Sequence, residues 1–160
     1  MTYREALRPT DAEAVRQLVS ATGFFRPAEV EIAAELVDET LARGADSGYQ
    51  FLFADDDARS DALAGYACFG RVPATESGFD LYWIAVAPSL HRRGLGSRLL
   101  AAVEARCREQ GGRRLYVDTS GRPQYSPTRD YYRHNGFIVA AVFPDFYADG
   151  DDKVVLSKPL

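Results

Sequence analysis

The sequence predicts a mixed α/β fold with a partly parallel central sheet flanked by helices. Segments whose apolar residues recur at helical spacing alternate with short β-branched and aromatic segments, and some β segments also follow one another directly. The chain has 160 residues, of which 46% are apolar. This suits one domain over residues 1–160, because domains commonly have roughly 100–200 residues and can bury a core without a metal or a disulfide.

The N-terminal segment predicts a strand followed by two helices. Residues 2–7 form the expected strand, and Thr10-Asp11-Ala12-Glu13 has the form of a capping box that opens a helix through residue 20. Pro27 suits the first position of a second helix that ends at Gly44. The apolar face of this second helix consists of Val30, Ala34, Val37 and Leu41.

The rest of the chain predicts further strands and two more helices. Two strands at 49–54 and 63–71 are joined by an acidic turn at 55–61, and a third at 79–86 stops at Pro88. The next helix ends at Gly111-Gly112, and its apolar face consists of Leu95, Leu99, Leu100, Val103 and Cys107. The remaining expected elements are a strand at 115–119, a helix at 128–135 and strands at 137–142 and 153–157.

Composition and charge argue against several classes of protein. No run approaches the roughly 18 uninterrupted apolar residues of a membrane span. The net charge of −4 argues against general nucleic-acid binding. The segment from Met1 to Glu5 has an acid where a signal peptide needs an apolar core, so we expect a cytoplasmic protein.

The cysteines and histidines do not form a metal-binding pattern. Cys68 and Cys107 lie in apolar segments, which predicts free buried thiols. His91 and His134 have no spacing typical of a zinc site, so no metal is expected.

The segment from Ile84 to Ser97 carries the strongest chemical signal. It joins the end of a buried strand to a helix through a loop with Gly94 and Gly96. Backbone N–H groups at a helix N-terminus lack intrahelical partners and favour anions, and glycine lets a phosphate approach the backbone. The arginines of the segment, Arg92, Arg93 and Arg98, can add charge toward phosphate oxygens. Neither a Walker loop nor a dinucleotide fingerprint is present, and a glycine-eased turn with solvated arginines is the alternative.

A second motif, Tyr131-Tyr132-Arg133-His134-Asn135-Gly136-Phe137, closes the short helix and enters the next strand. A strand, the pattern H-x-x-G-x-G, a helix, a strand and then Y-x-x-x-G-F together resemble the GNAT superfamily of acyl-CoA-dependent N-acyltransferases. The resemblance extends over essentially the whole chain, and its diagnostic motifs lie in residues 80–137. It implies the GNAT fold and an acetyl-CoA-dependent enzyme.

The resemblance also implies residues that bind acetyl-CoA, here a co-substrate. The loop implied to bind the pyrophosphate consists of His91, Arg92, Arg93, Gly94, Leu95, Gly96 and Ser97. His91 stands where the family usually has Gln or Arg. The main chain implied to bind pantetheine belongs to Ile84, Ala85 and Val86. Tyr125 occupies the place of an Asn that often contacts coenzyme A, and Ser126 is a candidate replacement.

Two residues are implied to be catalytic. Tyr132 matches the family tyrosine that faces the thioester sulfur, where it serves as proton donor to the leaving thiolate. An acid often lies six positions before the last apolar residue of the strand that precedes the loop, and counting back from Val86 gives Asp80 as the general base. Strand alternation puts Asp80 on one face with Tyr82 and Ile84. The alternatives are plain packing for Tyr132 and an exposed strand-start residue for Asp80.

Aromatic residues are the candidates for binding the acceptor. Phe24 and Phe25 lie between the first two helices, where two adjacent aromatics could equally be packing residues. Tyr82 lies on the face of Asp80, and Tyr147 lies in a loop expected between the last two strands. The acidic residues around this loop weakly favour a cationic partner: Asp145, Asp149, Asp151 and Asp152.

The function expected from these features is transfer of acetyl from acetyl-CoA to a primary amine of a small-molecule or amino-acid-like acceptor. The alternatives within the class are protein N-terminal and lysine acetylation. A non-catalytic acyl-CoA sensor and a nucleotide-binding domain of another type are alternatives from other classes. No nucleic-acid or membrane partner is expected, and a homodimer through the late strands is left open.

Overall fold

A mixed sheet of seven strands organises the described residues, 3–58 and 62–160, of the computed structural model. The strands are β1 (Tyr3–Arg4), β2 (Gln50–Asp55), β3 (Leu63–Arg71), β4 (Gly78–Val86), β5 (Arg114–Ser120), β6 (Ile138–Ala148) and β7 (Asp151–Pro159). The α-helices are α1 (Asp11–Ala21), α2 (Pro27–Arg43), α3 (Leu95–Glu109) and α4 (Ser126–His134). The predicted turn at 55–61 lies partly outside the described residues.

The strand order confirms the predicted fold class. It is β1-β2-β3-β4-β5-β7-β6. β4 pairs with β5 in parallel, whereas β1–β2, β2–β3, β5–β7 and β6–β7 are antiparallel pairs. The described helices include none that is long and apolar enough to cross a membrane.

Backbone contacts group the chain into two compact units. The first contains the chain up to Gly70 together with Trp83–Val103, and the second contains Arg71–Tyr82 together with Glu104–Leu160. The expectation of one domain over the whole chain stays a prediction.

The core of the first unit joins its two N-terminal helices to strands β2 and β3. Val15 of α1, Val37 of α2, Phe53 of β2 and Tyr66 of β3 are all fully buried in one cluster. The helical period predicted this face of α2 except at Leu41, which is 40% exposed. The buried position in that last turn is held by Thr40.

The start of α1 is as predicted, but its capping is not. Thr10 makes no capping hydrogen bond with its side chain. The backbone N–H of Arg8 instead donates to Asp11 Oδ2 at 2.6 Å, and the Arg4 guanidinium pairs with both Asp11 and Asp55. The predicted capping box is therefore wrong, because the buried Asp11 carboxylate already satisfies the chain that enters the helix.

In the second unit, β7 lies between β5 and β6 and is longer than predicted. Seven residue pairs align β5 with β7, from Arg114–Pro159 to Ser120–Lys153. The register of β6 with β7 shifts between the pair Phe143–Lys153 and the pair Ala148–Asp151. Four residues of β6, 144–147, thus oppose one residue of β7, Asp152, and form a large bulge.

The predicted loop between the last two strands is consequently wrong. Its residues belong to the bulge, in which Asp145 has a φ of 51°. The Asp145 N–H donates to Asp152 Oδ1 at 2.9 Å, and the Gly150 N–H donates to Asp145 Oδ1 at 2.7 Å. These bonds hold β6 on β7 through a stretch whose Pro and Asp residues suggested a loop.

The two cysteines are free and buried, as predicted. Burial raises the pKa of Cys107 to about 12 and that of Cys68 still further above its usual value. Both thiols therefore stay protonated at neutral pH.

Candidate functional site

In the first unit, the end of β4 is tied to the turn that follows it. The Ala87 N–H donates to the Ala64 carbonyl at 2.9 Å. The His91 ring Nε2 lies 2.9 Å from the Val86 carbonyl oxygen. Because a carbonyl can only accept, Nε2 carries the proton in this contact. His91 thus anchors the loop to the strand.

The loop before α3 is exposed, and two of its residues have positive φ angles. Arg92 has a φ of 60° and Gly94 a φ of 75°. Both values lie in the left-handed region, which glycine adopts at little cost. Leu95 is buried and fixes the first turn of α3 in the core, while Gly94 and Ser97 are exposed.

This geometry fits an anion site. Leu95 and Ser97 lie in the first turn of α3, and N–H groups in the first turn of a helix have no intrahelical acceptor. Ordinary side chains are absent at Gly94 and Gly96, so a phosphate can approach the backbone. The exposed side chains of Arg92 and Arg93 can add charge. These donors suit the pyrophosphate that the resemblance predicts for this loop.

The strand residues Ile84, Ala85 and Val86 differ in their surroundings. Ala85 is buried, and its carbonyl oxygen would lie 2.9 Å from a Cβ placed on Gly65. Ile84 and Val86 are half-buried. Only a glycine at 65 permits this close approach of the backbone.

In the second unit, β4 and β5 pair over only a short stretch. The paired residues are Gly78–Arg114, Phe79–Leu115 and Asp80–Tyr116. Within the described residues β4 continues to Val86 and β5 to Ser120, beyond the last of these pairs. Asp80 is therefore the last paired residue of β4 on this side.

Asp80 is half-buried rather than an exposed residue at the start of a strand. Burial raises its pKa, the Asp118 carboxylate raises it further, and the Lys153 ammonium opposes both effects by lowering it. Asp118 and Lys153 themselves form an ion pair with a distance of 2.9 Å. Neither Asp118 nor Lys153 was predicted from the sequence, and the one available signal was the position of a charged residue, Asp118, inside the strand predicted at 115–119.

Tyr132 lies in α4 and is only 5% exposed. Its ring packs edge-on against Tyr131 at 5.1 Å and against Phe137 at 5.4 Å between centroids. Burial raises the pKa of the Tyr132 phenol well above its usual value. The phenol therefore keeps its proton at neutral pH, which is compatible with both packing and proton donation. Ser126 is the first residue of α4 and is half-buried.

The aromatic candidates for the acceptor lie in both units. In the first unit, Phe25 packs against Trp83 at 4.8 Å and against Phe24 at 5.8 Å. In the second unit, Tyr82 is exposed on β4, and Tyr147 is exposed on the β6 bulge. The contact with Trp83 favours a packing role for Phe25.

The acidic residues near the end of the chain have internal partners. Asp151 bonds to Ser120 and pairs with Arg122 at 3.2 Å. Asp145 and Asp152 accept the backbone bonds of the bulge described above. A cationic partner at this acidic segment stays a prediction.

Comparison with known proteins decides the family. The model of the acetyltransferase (GNAT) family matches residues 13–137. The chain belongs to the GNAT acetyltransferase family. The enzyme class expected from the two motifs is thereby confirmed, since this is a family of acetyl-CoA-dependent acyltransferases.

Solved GNAT structures resemble the chain over its whole length. A protein described as a GNAT-family acetyltransferase from Desulfovibrio desulfuricans is 48% identical, with a TM-score of 0.93, and the match covers 99% of this chain and 98% of that one. An aminoglycoside 6'-N-acetyltransferase complexed with coenzyme A is 20% identical, with a TM-score of 0.76 and coverage of 99% and 97%. The latter likeness shows the GNAT fold alone.

About half of this chain is similar in sequence to part of a much longer protein. The tRNA(Met) cytidine acetyltransferase TmcA of Aeropyrum pernix is 42% identical over 78 residues, which are 48% of this chain and 10% of the relative. The chain thus spans about a tenth of the length of that relative.

Proposed function

We propose that the chain transfers the acetyl group of acetyl-CoA to a primary amine of a small-molecule or amino-acid-like acceptor by direct attack on the thioester. The observation that carries the proposal is the exposed loop before α3, in which Gly94 has a positive φ and the first turn of a 15-residue helix follows. Membership of the GNAT family supports the reaction class.

The loop is proposed to hold the pyrophosphate of acetyl-CoA. Backbone N–H groups of Gly94 and Ser97 donate to its oxygens, the absence of a side chain at Gly96 leaves room for the phosphate, and Arg92 and Arg93 add charge. His91 contributes by fixing the loop on β4, as its 2.9 Å contact with the Val86 carbonyl supports. The main chain of the strand residues Ile84, Ala85 and Val86 and the hydroxyl of Ser126 are proposed to contact the rest of coenzyme A.

Asp80 is proposed to accept the proton of the acceptor amine. An alkyl amine has a pKa near ~10 and is mostly protonated at neutral pH, so attack requires a group that takes its proton. A carboxylate whose pKa is raised by burial is a stronger base than an exposed one. Asp80 is thus suited to the task while it remains ionised.

Tyr132 is proposed to act at the sulfur of the leaving group. Its raised pKa means that the phenol is protonated when the thiolate develops. The same raised pKa makes it a weak acid, so we expect a hydrogen bond that stabilises the developing thiolate rather than early transfer of the proton. The new bond joins the amine nitrogen to the acetyl carbon, and the carbon–sulfur bond breaks.

The acceptor is proposed to contact aromatic side chains. Tyr82 and Tyr147 are exposed aromatic residues that an amine-bearing molecule can contact. Phe24 and Phe25 of the first unit are further candidates for contacting the acceptor.

Two measurements test this function in order. Thermal unfolding is followed with acetyl-CoA, coenzyme A, ATP and NAD, each in excess. A ligand that binds only the native state stabilises it by about 2.7 kcal/mol at a hundredfold excess over Kd. We expect stabilisation by both coenzyme A forms only. Release of free thiol from acetyl-CoA is then measured with a panel of polyamines, aminoglycosides, amino acids and peptides with free N-termini.

The two measurements together distinguish the proposed function from its alternatives. Turnover with peptides alone would replace the small-molecule acceptor by a protein N-terminus or a lysine. Stabilisation by acetyl-CoA without turnover by any amine would favour an acyl-CoA sensor. Stabilisation by ATP or NAD alone would contradict the proposed role of the loop.

A further inference from the structure

Three strands of the second unit bring charged side chains to one face of the sheet. Asp80 on β4 is paired with Tyr116 on β5, and Ser120 on β5 is paired with Lys153 on β7. Paired residues of neighbouring strands share a face, and side chains alternate along each strand. Asp118 lies midway between Tyr116 and Ser120, so it belongs to the same face. Asp80, Asp118 and Lys153 therefore follow one another across β4, β5 and β7.

The ammonium of Lys153 is fixed by contacts from two strands. Its Nζ lies 2.9 Å from Asp118 Oδ2, and the side chain is only 23% exposed. The same Nζ lies 4.7 Å from the ring centroid of Phe146 and 5.8 Å from that of Phe143. Both rings belong to β6, and Phe146 lies in the large bulge of that strand, from which its ring reaches Lys153 on β7. A cation held by a carboxylate and two aromatic rings is well placed to act on its neighbours.

Lysine is rare in this chain. Of 19 basic residues only Lys153 and Lys158 are lysines, and both lie on β7. Lys158 pairs with the buried Glu104 at 2.7 Å. Lys153 is thus the lysine whose partner, Asp118, stands beside the proposed base.

We propose that the Asp118–Lys153 ion pair is a positioning element that sets the charge state of Asp80, and through it the pH range in which the acceptor amine can be deprotonated. The link to the reaction rests on the proposed function, whereas the electrostatic link between the three residues does not.

The charges on this face act on Asp80 in opposite directions. In the second unit, Asp118 from β5 and Lys153 from β7 are the charged groups that shift Asp80, while Arg114 of β5 lies on the same face and Tyr116 is the titratable residue paired with Asp80. Burial and Asp118 raise the pKa of Asp80, and Lys153 lowers it. The lysine thereby offsets the two effects that would leave the base protonated, and Asp118 holds the lysine in place.

The test compares four proteins: the natural chain, Lys153→Met, Lys153→Arg and Asp118→Asn. The Asp80 carboxyl is titrated directly by 13C NMR, with Asp80→Asn used to assign its resonance. Lys153→Met should move the titration of Asp80 to higher pH, because a neighbouring cation is lost. Asp118→Asn should move it to lower pH, because a neighbouring anion is lost while the rings of Phe143 and Phe146 still hold the Lys153 ammonium. Lys153→Arg keeps the charge and should stay close to the natural chain.

The opposite signs distinguish electrostatics from damage to the fold. A purely structural role would change stability without moving the titration, or would move it in one direction for both variants, and either result would overturn the proposal. If Lys153→Met fails to fold, the isosteric Asp118→Asn still decides the question, because an unshifted Asp80 titration in that variant overturns the proposal.

The pH profile of kcat/KM then tests the link to the reaction. We expect its acidic limb to follow the Asp80 titration in each variant. Opposite NMR shifts with an unmoved acidic limb would confirm the electrostatic role of the pair and overturn Asp80 as the base. The failure of the two ideas is therefore distinguishable.

Discussion

The Nε2 atom of His91 lies 2.9 Å from the carbonyl oxygen of Val86, so the first residue of the glycine loop is bonded to the last residue of β4. This bond orients the loop whose exposed backbone is proposed to bind the pyrophosphate. The side chain of His91 thus holds the loop in place, and the proposed phosphate contacts are those of the backbone and the arginines.

Removing this anchor should weaken binding of acetyl-CoA. We expect His91→Ala to raise the KM for acetyl-CoA about threefold to tenfold, since one hydrogen bond contributes roughly 1 kcal/mol. His91→Gln retains a donor and should have a smaller effect. The measurement is steady-state kinetics at fixed acceptor. If His91→Ala lowers kcat by a larger factor than it raises KM, the anchoring role is contradicted.

Replacing Gly94 should weaken binding of acetyl-CoA by more than the backbone strain of the substitution explains. Gly94 and Gly111 have φ values of 75° and 79°, and both are exposed. Gly94→Val and Gly111→Val therefore introduce comparable backbone strain, on the order of 1–2 kcal/mol of stability. Only Gly94→Val should also raise the Kd for acetyl-CoA, measured by calorimetry, by about tenfold or more, because its side chain obstructs the anion site. Equal Kd values in the two variants would argue that the loop is a simple turn.

Tyr132→Phe should lower kcat with little change in the KM for acetyl-CoA. Loss of a hydrogen bond made in the transition state costs about tenfold to a hundredfold in rate. Tyr131→Phe removes the neighbouring hydroxyl and is the matched control. Because burial raises the pKa of Tyr132, its proton remains in place across the neutral range, and it should contribute no alkaline limb below about pH 10. An unchanged kcat in Tyr132→Phe would leave packing as its role.

Local patterns predicted the elements whose residues meet a buried core. Both ends of β3 were predicted, and all five residues of the α3 face are buried. The end of β6 was not predicted, because Pro144 and Asp145 are typical of turns. Pairing with β7 and the bond between Asp145 and Asp152 outweigh that local preference.

The candidate site divides in the same way. Asp80 and Tyr132 follow from the resemblance of two local motifs to the GNAT family. Asp118 and Lys153 approach each other only because the last strand inserts next to β5. That juxtaposition depends on strand order between distant segments, which no local pattern encodes.

A buried ion pair in the second unit allows a prediction about stability. The Glu104 carboxylate is nearly inaccessible, and its partners are Lys158 at 2.7 Å and the exposed Arg108 at 3.4 Å. Lys158→Met removes the nearer and more buried of the two partners of the Glu104 carboxylate. We expect a loss of about 2–4 kcal/mol in the free energy of unfolding, because an uncompensated buried charge is costly. Arg108→Met should cost less than about 1 kcal/mol, as exposed ion pairs contribute little.

Urea denaturation of the two variants and of the double variant Glu104→Gln/Lys158→Met measures these effects. The double variant should recover part of the loss, since the carboxylate charge is removed together with its partner. Equal losses in Lys158→Met and Arg108→Met would show that burial of the pair does not determine its contribution. No recovery in the double variant would assign the cost to lost packing of the lysine stem, which passes over Gly136.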